Sequence, residues 1–260
     1  SVSATVSVDD TPTALELAQT LVGTGPKAPT ISSVVLTGDS RGSGTFSGGG
    51  GNVGIASGVV LGSGRVIDVV GPNTLDNTTY NFGLGGDSDL NGLIPGYTTN
   101  DATVLQFGFE CPSGNIEEGI SFDYVFTSEE YNEYVNSSFN DVFGFFLNGS
   151  NIALLPDEVT VVSINNVNNG YSAGGGLPGT NPSNPASYRN NDLNDGGGSI
   201  DIEADGLTTV LKASGSVNPG TNTMKFAIAD AGDRILDSWV FLLENSFQCN
   251  TPPVADANGP

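Results

Sequence analysis

Apolar positions in this chain fall in short runs of roughly four to eight residues, divided by clusters of Gly, Asn, Asp, Ser and Pro. Ser1 to Val8 (SVSATVSV) alternates, as do Phe122, Tyr124 and Phe126 with Asp123 and Val125, and as does Leu207 to Ala213. A period of two places these segments on half-buried strands. Val142 to Leu147 (VFGFFL) and Trp239 to Leu243 (WVFLL) are unbroken apolar runs, expected as buried strands. Ile31 to Leu36, Val53 to Leu61, Arg65 to Val70, Val104 to Phe109, Ile152 to Leu155, Val159 to Ile164 and Met224 to Ala229 read as strands too. Only Thr13 to Leu21 has helical spacing; Asp9 to Thr11 offer an N-cap, Pro12 suits the first turn and Gly23 ends it. Residues 165–199 are rich in Gly, Asn and Pro and lack apolar pattern, which predicts a functional or flexible surface loop. The pattern predicts an all-β fold, a two-sheet, jelly-roll-like sandwich whose one short N-terminal helix covers an edge or end.

Charge narrows the function. The chain of 260 residues carries 7 Lys+Arg against 29 Asp+Glu, a formal net charge of −22. Such a balance repels nucleic acid and anionic membrane surfaces and favours multivalent cations. There is no His, which removes the usual general base, the usual zinc ligand and the Ser-His-Asp triad. Cys111 and Cys249 point to one disulfide formed in an oxidising compartment, the alternative being two buried free thiols. No segment approaches the length of a membrane span, and a mature secreted form with its signal removed would fit the cysteines.

Acidic residues concentrate in two connections between apolar strands. The first holds Glu129, Glu130, Glu133 and Asp141 with Asn132, Asn136 and Asn140; the second, ADAGDRILDS, holds Asp230, Asp233 and Asp237. Carboxylates and amides in this density suit a hard cation that takes six to eight oxygens. Loops at one end of a sandwich can meet, so Glu129, Glu130, Asn140, Asp141, Asp230, Asp233 and Asp237 form a candidate calcium site. Gly232 between Asp230 and Asp233 would let the backbone fold around an ion. The competing reading is a solvated acidic rim, or one paired to Arg234 or Lys225. Asp87, Asp89 and Asp101 are weaker candidates for another calcium; the segment around them lacks the EF-hand spacing and terminal Glu. Tyr131, Tyr134, Tyr171, Tyr188 and Trp239 are candidates for stacking on sugar rings, although Trp239 lies within an apolar strand and belongs more naturally to a core. Glu129 with Asp141 or Asp230 imitates a glycosidase pair, but no nucleophile elbow accompanies it.

Several segments resemble the choice-of-anchor L domain: the run from Tyr124 to Gly149 (YVFTSEEYNEYVNSSFNDVFGFFLNG), GTFSGG at Gly44 to Gly49, SGVVLGSG at Ser57 to Gly64, DLNGLIPG at Asp89 to Gly96, DGLTTVL at Asp205 to Leu211, and IADAGDRILDSWVFLLENSF at Ile228 to Phe247. The resemblance covers nearly the whole chain in order. It implies a module of bacterial secreted and surface proteins with an adhesive or structural role, and it implies no defined reaction. The tail PPVADANGP resembles the start of a PKD-like surface domain.

Together these readings predict a domain over residues 1–249 and a linker over 250–260 leading to a further surface domain. They predict a non-catalytic, calcium-stabilised extracellular module for adhesion or self-assembly, located at the cell surface or secreted. Its expected partners are other copies of itself, neighbouring surface domains or glycans. The alternative is a carbohydrate-binding module of a secreted protein.

Overall fold

The structure, a computed structural model, describes residues 5–112 and 119–250. Its strands are β1 (Ser7–Asp9), β2 (Thr30–Thr37), β3 (Ser43–Ser47), β4 (Ser57–Gly62), β5 (Thr99–Glu110), β6 (Gly119–Ser128), β7 (Val142–Leu147), β8 (Ser150–Asn151), β9 (Tyr188–Asn190), β10 (Gly206–Thr208), β11 (Leu211–Ser216), β12 (Asn222–Ala231), β13 (Ser238–Leu243) and β14 (Gln248–Asn250). The helices are α1 (Ala14–Val22) and α2 (Ser88–Leu93). Two antiparallel sheets form an all-β sandwich. The first is nine-stranded in the order β1-β3-β4-β13-β6-β10-β9, with β11 and β14 also on β6. The second is five-stranded in the order β2-β5-β12-β7-β8. Tyr124 of β6 pairs with Leu242 on one edge and Leu211 on the other, so β6 lies at the centre of the larger sheet.

The central core fills the space between the sheets. Phe122, Tyr124 and Phe126 of β6 meet Phe143 and Phe145 of β7 and Phe226 of β12 in a chain of tilted and edge-on ring contacts. Helix α1 buries Leu17, Ala18, Leu21 and Val22 in this same core, as expected of a cover for one end. The outer faces are covered as well. Val60, Val125, Trp239 and Phe241 form a second cluster with Val66, Val69 and Ile202, while Leu90 and Ile94 cap Val142, Phe146, Ala227 and Ala229 on the other sheet. Strands buried on both faces need no polar alternation, which explains the unbroken runs of β7 and β13. Cys111 and Cys249 form the expected disulfide, with Cα atoms 5.7 Å apart. No helix of the described residues is long and apolar enough to cross a membrane.

Several expected elements differ. The cap of α1 is Thr13, in a reciprocal capping box with Glu16, rather than Asp9 to Thr11. A second helix, α2, is capped by Asp87 where a loop was expected. Arg65 to Val70 is no strand: Val66–Val69 forms a tight 3-10 turn, which puts Val66 and Val69 on one buried side and closes an Arg65–Asp68 ion pair at 2.8 Å. Ile152 to Leu155 and Val159 to Ile164 leave the ladder after β8. Ala153, Leu155, Val162 and Ile164 drop into the central core, joined only by isolated bridges such as Leu154 to Val161. Leu207 to Ala213 is divided between β10 and β11. The 165–199 segment holds β9 and is fastened by buried amides: Asn168 accepts from Gly170 and Ser183, and Asn191 donates to the carbonyls of Ile202 and Ala204. Of the expected first strand, residues 1–4 lie outside the described residues, as do residues 251–260 of the expected linker.

Candidate metal centre

The two acidic connections meet because each crosses from one sheet to the other at the same end. The first leaves β6 in the larger sheet and enters β7 in the smaller; the second leaves β12 in the smaller and enters β13 in the larger. β6 pairs with β13, and β7 with β12, so Ser128 faces Ser238 while Val142 faces Ala229. Backbone bonds then join the crossovers directly, from Glu129 N–H to the Asp237 carbonyl and from Asn140 N–H to the Ala231 carbonyl, both at 3.1 Å.

Glu129, Glu130, Asp141, Asp230 and Asp237 are all buried here, none more than 1% exposed. Asp141 is held at both oxygens, by the Ala231 amide at 2.8 Å and the Ser238 hydroxyl at 2.6 Å. Asp237 receives the Tyr80 amide and rests against Gly64, where a Cβ would fall 1.7 Å from its Oδ2, so only glycine fits. Glu130 Oε2 and Asp230 Oδ1 are buried and have no hydrogen-bond partner. Glu129 accepts from the Thr78 amide through Oε2, and its Oε1 is likewise unpartnered. Asp233 and Asn140 stand at the margin. Asp233 is partly exposed and accepts from the Ile235 amide within its own turn, yet its charge still reaches Glu130 and Asp141. The Asn140 amide oxygen accepts from Asn165 N–H.

None of the ion pairs among the described residues reaches these carboxylates. Burial therefore dominates their acidity. It raises Glu129 with help from the charge of Asp205, raises Glu130 with help from Asp141, and raises Asp230 well above the usual range with help from Asp141 and Asp237. Burial also raises Asp141, against the opposing Ser238 and Ala231 hydrogen bonds. Asp237 is pushed up to about 7 by burial, although the Tyr80 amide and, more weakly, Arg65 favour its charged form. A buried acid with an unpaired oxygen is neutral only with a proton, and anionic only beside a cation.

The remaining candidates have other partners. Lys225 Nζ lies 2.7 Å from both Asp87 and Asp89, so an ammonium already holds that pair. A bulge in β5 puts Asp101 at φ 48 and buries its carboxylate, which accepts the Phe82 and Leu84 amides. Tyr131, Tyr188 and Trp239 are buried, the Tyr131 hydroxyl bonding the Val167 carbonyl, which leaves only Tyr134 and Tyr171 of the aromatic set exposed.

The strap at residues 73–84, legible only as part of a loop-rich stretch, organises these carboxylates. It has no strand, and its amides point in turn at buried carboxylates: Thr74 and Leu75 to Glu203, Thr78 to Glu129, Tyr80 to Asp237, Phe82 and Leu84 to Asp101. Asp76, Glu133, Asp192, Glu203 and Asp205 were not among the expected ligands, although Asp76 and Glu133 lie in the acidic loops the sequence marks. No local signal joins these residues, because they come from segments remote in the chain.

The family model described as Choice-of-anchor L domain matches residues 5–248. No curated protein and no solved structure matches the chain.

Proposed function

The chain belongs to the choice-of-anchor L family of bacterial surface and secreted modules, and on that premise we propose that it is a non-catalytic module stabilised by calcium, serving adhesion or assembly. The ion sits between the two crossovers. Glu129, Glu130, Asp141, Asp230 and Asp237 are its candidate ligands, with Asp233 and Asn140 at the margin; among the described residues no three of these carboxylates have oxygens within 4.8 Å of one another, so binding draws them inward. The observation that carries this reading is the pair of buried, unpartnered oxygens Glu130 Oε2 and Asp230 Oδ1, both under the charge of Asp141, with no Lys or Arg paired to them among the described residues. Calcium accepts six to eight oxygen ligands in adaptable geometry, so it offsets both the repulsion and the missing hydrogen bonds.

A cation there ties the β6–β7 and β12–β13 crossovers together and, through Thr78 and Tyr80, the strap above them. The end of the sandwich then becomes a fixed surface for a second copy or a neighbouring surface domain. Thermal unfolding with EDTA and with millimolar calcium, joined to metal analysis of untreated protein, tests the ion. A calcium-dependent rise in midpoint is expected, because only the folded state binds; no shift and no metal overturns the reading. Mass photometry with and without calcium tests assembly, and a monomer under both conditions leaves only heterotypic adhesion.

A further inference from the structure

A second group of carboxylates lies beyond the crossover site and shares no residue with it. Asp76 comes from the strap, Glu133 from the β6–β7 crossover and Asp192 from the long 165–199 segment. One oxygen from each lies within 4.8 Å of the others. Oxygens bound to one calcium at about 2.3–2.6 Å lie at most about 5 Å apart, so this spacing is within reach of a single ion. Asp76 is exposed, Glu133 half-buried and Asp192 buried, so the group opens to solvent on one side.

An acidic cluster alone needs no ion, but a further carboxylate stands behind this one. Asp205 is fully buried; its Oδ1 accepts from Asn73 Nδ2 at 2.7 Å, and its Oδ2 has no partner. Its carbonyl accepts the Asn191 amide at 2.8 Å, and Asn73 Nδ2 bridges its Oδ1 and the Asn191 carbonyl, which sets Asp205 beside the turn that begins at Asp192. Burial raises Glu133, with Asp192 and Asp76 adding to the effect. Asp192 is oriented by Asn132 on Oδ2 and by the Asn194 and Asp195 amides on Oδ1. Asn194 in turn donates to Asp76 at 2.8 Å. Asp76, Asp192 and Asp205 are thus positioned by neutral groups, Glu133 lies against Asp192, and no ion pair among the described residues reaches any of the four.

We propose that Asp76, Glu133 and Asp192, with Asp205 behind them, form a second site for a hard divalent cation such as calcium. The ion clasps the strap and the long loop onto the β6–β7 crossover. One solvent-accessible ion thus joins three segments, and it exchanges more readily than one enclosed between the crossovers.

Calcium alone is the probe, with bound ions per folded chain counted by equilibrium dialysis and far-UV circular dichroism as the folding check. Asp76→Asn/Glu133→Gln changes the two least buried members and spares Asp192, which holds the Asn194 and Asp195 turn. This variant is expected to bind one calcium fewer than the parent and to lose calcium protection of the 165–199 segment against protease. Glu130→Gln/Asp230→Asn is expected to lose the crossover ion and keep this one. An unchanged count in Asp76→Asn/Glu133→Gln overturns the second site whatever the crossovers do. A parent that binds one ion, lost only in Asp76→Asn/Glu133→Gln, supports the second site and overturns the crossover site. Should the double variant unfold, Asp76→Asn alone, at an exposed position, gives the same count.

Discussion

Asp87 and Asp89 on the outer face of the five-stranded sheet, and Glu129, Glu130, Asp141 and Asp230 at the end of the sandwich, are both carboxylate groups set against apolar strands. Their neutralisation differs. The first pair closes on Lys225, whose ammonium also lies 5.3 Å from the centroid of the Phe146 ring. The second is enclosed with unpartnered oxygens and no basic side chain paired to it. With 7 Lys+Arg for 29 Asp+Glu, a fixed cation cannot be supplied to every acidic group. Acidic density therefore does not identify a metal site; what separates the two regions is the count of satisfied oxygens.

The largest effect expected from this difference is calcium dependence confined to the sandwich end. At a hundredfold excess over Kd, binding adds about 2.7 kcal/mol, or roughly 5–10 °C in midpoint for a domain of this size. A calcium response that survives in Glu130→Gln/Asp230→Asn, with the Asp76 group also neutralised, would place the ion elsewhere and dissolve the contrast.

The pH profile should separate the regions next. Asp237, Asp141, Glu129, Glu130 and Asp230 all have folded-state pKa values raised by burial, with Asp237 at about 7. A raised carboxyl takes up a proton on folding. Its stabilisation is complete below the unfolded value near 4 and is lost as pH rises through the folded value. In EDTA the unfolding midpoint should fall between about pH 5 and pH 8. Calcium should flatten that fall, since the ion replaces the proton. A midpoint that rises over this interval in EDTA would mean the carboxylates are satisfied as anions without a metal.

Glu130→Gln should act with opposite signs in the two conditions. In EDTA it removes an acid that must take up a proton to be buried, and the midpoint near neutral pH should rise by the equivalent of roughly 1–3 kcal/mol. In calcium it removes a ligand, and the calcium-dependent gain should shrink. A loss of stability in both conditions would make Glu130 a structural acceptor and remove it from the ligand set.

Much of this frame was legible in the chain. The β7 and β13 runs, the β6 alternation and the disulfide stand where the pattern puts them, because burial on one or both faces fixes their periodicity. The meeting of the two acidic crossovers was legible for the same reason: aromatic-rich strands at the sheet centres carry their loops to one end. Arg65 to Val70 misled because Val66 and Val69 suit a tight turn as well as a strand. The strap and the Asp76, Glu133 and Asp192 group were not legible. Their partners are backbone amides and remote side chains, and neither leaves a spacing in the sequence. Only the path of residues 73–84 across the crossovers brings them together.

Lys225 gives the smallest effect and the sharpest control. Its side chain is 15% exposed and that of Asp87 is 16%, against 53% for Asp89, so the Lys225–Asp87 contact carries most of the interaction. Lys225→Met removes the ammonium and its contact with the Phe146 ring, leaving Asp87 half-enclosed with only its cap bonds to the Asp89 and Leu90 amides. A loss of roughly 1 kcal/mol is expected in urea unfolding, identical with EDTA and with calcium. Asp89→Asn should be nearly silent, because Asp87 still holds the ammonium. If calcium instead rescued Lys225→Met, the ion would be entering the vacated position, and the outer face would differ from the sandwich end only in which cation arrives first.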